Sequence, residues 1–321
     1  MRHGRRDPMP IHAIVCATVA LAACTSGDPA SSQDVASSPG SPGEVHASAQ
    51  TDPASGRLLI ARYSGDIADI VTTATDGSDE RPFAPGSSFE VRQLSPDGSV
   101  IAIVAASEEG PLVGGTIRPD GTHLALFPAA GRHLNLACGV WAPDGGLACE
   151  GWDDRSSVRS GVFLVDPDGR HPRRLTSARD IPCDYAPDGS LLAFVRTDRM
   201  SEVGTLMVMD AGGGEPRPLI GGVALSGLPC DWSPDGRSIL VGSAAGSLRL
   251  VSLDGSSEPI SGDGIDGFAS GPTWSADGSR ILFTMTLEVD QPDVYTVAAD
   301  GSDLVRVTSG DTYDEGWLWL P

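Results

Sequence analysis

The chain has 321 residues, 40 of them glycine and 25 proline, and a formal charge of −21 with histidine neutral. Acidity of that size repels phosphate backbones and anionic headgroups, so nucleic acid is not an expected partner. Apolar residues fall in short runs between Gly, Asp, Pro and Ser clusters, which suits an all-β protein with many turns.

From the N-terminus, Arg2, Arg5 and Arg6 precede an apolar stretch, residues 11–23, that is shorter than a bilayer span and fits a signal peptide. It ends in Leu21-Ala22-Ala23-Cys24, which resembles the lipobox of bacterial lipoproteins. The resemblance implies a signal peptide over residues 1–23, a lipid on Cys24, and export to the outer face of the cell membrane or to the envelope. The lipid anchor is the one membrane attachment expected. Residues 24–56 are rich in Ser, Pro, Gly and Ala, contain no aromatic and have almost nothing to bury, so they read as a disordered tether.

Residues 57–321 carry a repeat. Leu94-Ser95-Pro96-Asp97-Gly98 recurs as Trp141-Ala142-Pro143-Asp144-Gly145, Tyr185-Ala186-Pro187-Asp188-Gly189, Trp232-Ser233-Pro234-Asp235-Gly236 and Trp274-Ser275-Ala276-Asp277-Gly278. The aspartates stand 47, 44, 47 and 42 residues apart. A second motif, an apolar strand ending in Asp-Gly, is offset by half a period at Asp76, Asp120, Asp168, Asp254 and Asp300, with Ala211-Gly212-Gly213-Gly214 in its place once. Both motifs supply tight hairpin turns. Two hairpins per repeat predict a four-stranded antiparallel propeller blade. The chain enters the first blade at Arg57-Leu58-Leu59-Ile60-Ala61, which matches the second strand of the other blades. The cut-short copy Gly316-Trp317-Leu318-Trp319-Leu320-Pro321 is the donor of the missing first strand, so six blades close into one ring.

Trp232-Ser233-Pro234-Asp235-Gly236, Trp274-Ser275-Ala276-Asp277-Gly278 and Val297-Ala298-Ala299-Asp300-Gly301-Ser302 resemble the TolB-type propeller repeat. The resemblance covers residues 57–321 and implies an all-β, six-bladed propeller. Such propellers serve as binding platforms, peptidase gates and occasional lyases, so function has to be argued from a site. The expected function is a non-catalytic platform for a protein or peptide partner in the envelope, and the expected species is a monomer. The alternatives are a lyase or hydrolase-like enzyme with a metal in the channel, and a purely structural envelope component.

In a meander of four strands, the regular Asp-Gly turns share one rim and the irregular loops share the other. The irregular rim offers Asp153, Asp154, Arg155, Arg159, Asp198, Arg199 and Asp290 within blades. Between blades it offers Arg179, Asp180, Asp263, Asp266, Asp311 and Asp314. A partner with basic groups is expected there, against the simpler reading that these are solvated loops. Asp184 and Asp231 precede the repeat aromatic in neighbouring innermost strands and face the channel, where carboxylate oxygens suit Ca²⁺. Two carboxylates are fewer than a calcium site needs, so no cofactor is expected.

Cys138, Cys149, Cys183 and Cys230 remain after removal of the leader and modification of Cys24, an even number that suits disulfides in an oxidising compartment. Cys138–Cys149 flank one hairpin turn and pair if the register sets them opposite each other. Cys183 and Cys230 then pair across adjacent inner strands or stay reduced in the core. No Gly-x-Ser-x-Gly elbow or phosphate-binding loop is present, and His123, His133 and His171 do not form a metal-binding set, so no enzyme is expected.

Overall fold

The computed structural model describes residues 56–321 apart from 65–66, 85–88, 108–109, 154, 199–200, 226 and 288–290. The leader, Cys24 and the tether lie outside the described residues, as do Asp154, Arg199 and Asp290. The described chain is all-β and forms six four-stranded antiparallel sheets set in a ring.

From the axis outward, blade 2 is Phe89–Leu94, Ile101–Ala106, Leu112–Ile117 and Ala125–Leu126. Blade 3 is Leu134–Trp141, Leu147–Asp153, Ser156–Val165 and Arg173–Arg174. Blade 4 is Arg179–Tyr185, Leu191–Thr197, Val203–Asp210 and Arg217–Ala224. Blade 5 is Cys230–Trp232, Ser238–Gly242, Leu248–Ser252 and Ser257–Pro259. Blade 6 is Phe268–Trp274, Arg280–Thr286, Asp293–Ala298 and Val305–Arg306. Blade 1 joins both ends of the domain. Its innermost strand is the C-terminal Tyr313–Leu320, followed outward by Arg57–Ser64, Ile67–Ala74 and Arg81–Pro82. Arg57 pairs with Leu320 and Tyr63 with Tyr313, so the ring closes by strand pairing between the termini as the cut-short repeat predicts.

The Asp-Gly turns explain the hairpins. In blade 2 the Gly98 N–H donates to the Ser95 carbonyl at 2.8 Å, and Gly98 takes φ +71°. The Asp97 carboxylate accepts the Ser99 N–H at 3.0 Å and the Ser99 hydroxyl at 2.7 Å. The same glycine and residue-plus-two contacts recur at Asp76, Asp120, Asp144, Asp168, Asp188, Asp235, Asp254, Asp277 and Asp300. Asp79, His123, His171 and Asp303 close the outer turns in the left-handed region, where Asp and His are tolerated better than branched residues. His123 and His171 are therefore turn residues of the regular face.

The second strands read as continuous apolar runs because a blade is covered on both sides. Ile101, Ala102 and Ile103 are fully buried, as are Leu192, Ala193, Phe194 and Val195. The core is accordingly divided into six clusters, each wedged between two neighbouring blades. Each fully buried Leu, Ile, Val or Phe contributes about 1.5–3 kcal/mol, so stability is spread round the ring.

Both cysteine pairs are joined. Cys138 lies opposite Cys149 in the ladder and is bonded to it within blade 3. Cys183 and Cys230 bridge the innermost strands of blades 4 and 5, with Cα atoms 5.2 Å apart. Two disulfides fit an exported protein in an oxidising compartment.

Candidate functional site: the axial channel and its irregular face

Each innermost strand runs from the irregular face to the Asp-Gly face. The residue before the repeat aromatic therefore comes to the same depth in every blade: Gln93, Val140, Asp184, Asp231, Thr273 and Leu318. Four of these are polar, and they interlock across the axis. Gln93 Oε1 accepts the backbone N–H of Trp141 at 3.0 Å, and Gln93 Nε2 reaches past blade 3 to Asp184 Oδ1 at 2.7 Å. Asp184 also accepts the N–H groups of Tyr185 at 2.8 Å and Trp232 at 2.9 Å. Asp231 accepts the Trp274 N–H at 2.7 Å and the Thr273 hydroxyl at 3.0 Å. The Trp232 N–H that Asp184 accepts belongs to the residue after Asp231, so the two carboxyl groups are neighbours. Burial raises the pKa of both, and the Asp184 charge pushes Asp231 well above the usual carboxylate range. This network forms the floor of the channel at the Asp-Gly face. Its oxygens are taken up by peptide N–H, amide and hydroxyl donors. Among the described residues no three His, Cys, Asp or Glu side chains converge to hold a metal.

Nearer the irregular face the lining becomes charged. Arg92 donates to Glu90 at 2.5 Å and lies over Gly139 of blade 3, where a Cβ would come within 2.8 Å of its Cγ. Glu150 sits 3.8 Å from Arg179. Tyr63 donates to Glu315 at 3.3 Å and meets Tyr313 edge-on, ring centres 5.1 Å apart. Desolvation raises the pKa of Glu150, and Arg179 and Arg92 oppose it. Desolvation also raises Glu315, with Glu90 adding to the effect. The Tyr63 phenol is raised by burial and then by the charges of Glu315 and Glu90. At the rim stands Phe268, 42 % exposed. The mouth thus combines three carboxyl groups, two arginines and aromatic edges, a surface suited to cationic groups of a partner.

The acidic residues of the irregular rim divide into two sets. Asp153, Asp180 and Asp314 are buried and engaged. Asp153 pairs with Arg159 at 3.1 Å and accepts the Arg155 N–H at 2.9 Å. Asp180 takes two bonds from Arg196, at 2.8 and 3.0 Å. Asp314 pairs with Arg62 at 3.1 Å. Asp180–Arg196 and Asp314–Arg62 are equivalent, since each joins the second residue of an innermost strand to its partner on the next strand. They pin the starts of blades 4 and 1. Asp198, Asp266 and Asp311 are exposed, as are Arg155 and Arg159, and Arg179 is 40 % exposed. Asp263 is exposed as well, but away from this rim.

Sequence reasoning singled out Asp184 and Asp231 in the floor, and missed Gln93 and Thr273. The signal was present, because all four hold one repeat position. Glu90, Arg92, Glu150 and Glu315 were also missed. Glu315 has a trace in sequence, two residues after Tyr313 and two before Trp317 on the strand that closes the ring, although Trp317 and Trp319 themselves pack into the cores on either side of blade 1.

Comparison with known proteins follows this geometry. Neither a family model nor a curated protein matches the sequence. Among solved structures, a putative TolB from Agrobacterium tumefaciens is similar with a TM-score of 0.59 and 19% identity, covering 82% of this chain and 99% of that one. TolB from Acinetobacter baumannii gives a TM-score of 0.61 at 18% identity, covering 83% of this chain and 67% of that one. A chain of a nidogen/laminin complex gives 0.58 at 14% identity, covering 80% of this chain and 93% of that one. At these identities the likeness is one of fold: the chain is a TolB-like six-bladed propeller.

Proposed function

We propose that this chain is an envelope lipoprotein whose propeller is a non-catalytic platform for a protein or peptide partner bearing basic groups. The observation that carries this reading is the asymmetry of the channel. One end is tied across the axis by the Gln93–Asp184–Asp231 network, and the other presents Glu90, Glu150 and Glu315 beneath a rim with exposed Asp198, Asp266 and Asp311, whereas Asp263 lies beside the Asp300-Gly301 turn of blade 6. Irregular loops on a rigid ring are where binding residues concentrate. The non-catalytic reading is supported by the engagement of the buried carboxyl groups with neighbouring donors, which hold them in structural contacts. Arg57 pairs with Ala74 and Leu320 at the Asp-Gly face, so the described chain enters the ring on the face opposite the irregular loops.

The test is a crosslinking pull-down from envelope extracts. It compares the tagged mature chain with Asp198→Asn, Asp266→Asn and Asp311→Asn combined. Loss of one specific partner in the variant supports the reading, and undiminished recovery overturns the assignment of this face.

A further inference from the structure

Asp184 follows Cys183, and Asp231 follows Cys230. Cys183 is the extra residue of a bulge between Pro182 and Asp184, and Cys230 lies in a regular stretch of its strand. The disulfide joins blades 4 and 5 within their shared core, while Asp184 reaches Gln93 of blade 2 and the Trp232 N–H beside Asp231 on the axial side. A covalent bond between the strands holds together the two groups whose negative charges would push them apart.

We propose that the Cys183–Cys230 bridge and the Asp184–Asp231 contact form one device: a covalently clamped carboxyl pair that seals the floor of the channel while it holds a proton and loosens when the proton leaves. The surroundings of the pair support this. From blade 2 it faces the Gln93 amide, from blade 4 the Tyr185 N–H, from blade 5 the Trp232 N–H, and from blade 6 the Trp274 N–H and the Thr273 hydroxyl. Among the described residues no arginine or histidine forms a salt bridge with either carboxyl, so each faces only neutral donors and the other acid. Two carboxylates in contact without a cation cannot both ionise cheaply, and a shared proton resolves the conflict.

The sign follows from linkage. A carboxyl whose folded pKa is raised binds its proton more tightly in the folded state. Its contribution is complete at acidic pH and is lost as pH rises through the folded value. With the clamp in place, the ionised pair cannot relax by separation of the strands and loosens the floor only by turning the carboxyl groups away from each other, at the cost of their contacts with Gln93 and Thr273. Without it the strands part and the pair ionises nearer the ordinary range.

The experiment follows the carboxylic-acid C=O stretch by difference infrared spectroscopy, through a pH titration of the full chain. Wild type is compared with Asp231→Asn and with Cys183→Ser/Cys230→Ser. Wild type should retain a protonated-acid band above the ordinary carboxylate range, and Asp231→Asn should lose it. The unclamped variant should lose the band at a proton concentration about tenfold higher than wild type, one pKa unit. Should the unclamped variant not fold, reduction of Cys183–Cys230 by a small dithiol is timed in wild type and Asp231→Asn. The ratio of the two rates should rise about tenfold from acidic to alkaline buffer, because wild type alone gains repulsion there. A band that survives in Asp231→Asn, a titration unmoved by loss of the clamp, or a rate ratio independent of pH would overturn the proposal. So would restoration of the alkaline form by Ca²⁺ alone, which would make the pair a cation site.

Discussion

The axial end of an innermost strand and the turn that follows it place the same side chain in opposite electrostatic settings. In blade 4, Asp184 on the axis and Asp188 in the following turn are four residues apart. Burial raises the carboxyl of Asp184, whereas the Ser190 hydroxyl and N–H hold Asp188 below its usual range. Blade 5 repeats the contrast with Asp231 and Asp235. In the turns, donors converge on an exposed carboxylate and favour its charge. In the channel, the nearest charge is another acid and water is scarce. Residue identity is silent about protonation; the count of donors and the company of like charge decide it.

The largest effect should come from the channel. Asp184→Ala strands the Gln93 amide and the Trp232 N–H inside the ring, and should cost about 3 kcal/mol in urea unfolding. A value near zero would mean that the floor network is dispensable. Asp180→Ala removes the buried partner of Arg196 at the start of the same strand. Because the Arg196 side chain is 37 % exposed, solvent screening reduces the loss to about 2 kcal/mol, measured in the same way. Asp97→Ala removes a solvent-exposed turn carboxylate and should move the urea midpoint less than either.

The pH profile sharpens the contrast most directly. Turn carboxylates, with Asp97 lowered to about 2, favour the folded state above the unfolded carboxylate range and lose that contribution as pH falls toward about 2. The channel acids act in the opposite sense, losing their contribution as pH rises. Thermal unfolding across pH should therefore show an acid limb that Asp231→Asn leaves in place and an alkaline decline that it flattens. Identical profiles for the two proteins would contradict the assignment.

The repeat made the architecture legible. Five aspartates at near-constant spacing and one cut-short copy define six blades and their closure, because each turn is built by residues adjacent in sequence. The Cys138–Cys149 pairing was legible for the same reason, since it spans a single hairpin. The channel mouth was far less so. Glu315 and Tyr63 are 252 residues apart yet hydrogen-bonded, and no local pattern announces that meeting. The rim aspartates were legible as a set, but burial alone separates Asp180 from Asp266.

The turns also bear on how the protein ages. Aspartyl-glycyl bonds convert spontaneously to isoaspartate when the glycine nitrogen attacks the aspartate side chain, expelling water to form a succinimide that later hydrolyses. In the ten regular turns each glycine N–H already donates to a carbonyl three residues back, which holds the nucleophile away from its target. Two further pairs, Asp263-Gly264 and Asp266-Gly267, lie in the exposed connection before blade 6, outside that turn arrangement. On prolonged storage, peptide mapping should find isoaspartate first at these two positions. The folded ring keeps the other ten clocks stopped, and unfolding would start them together.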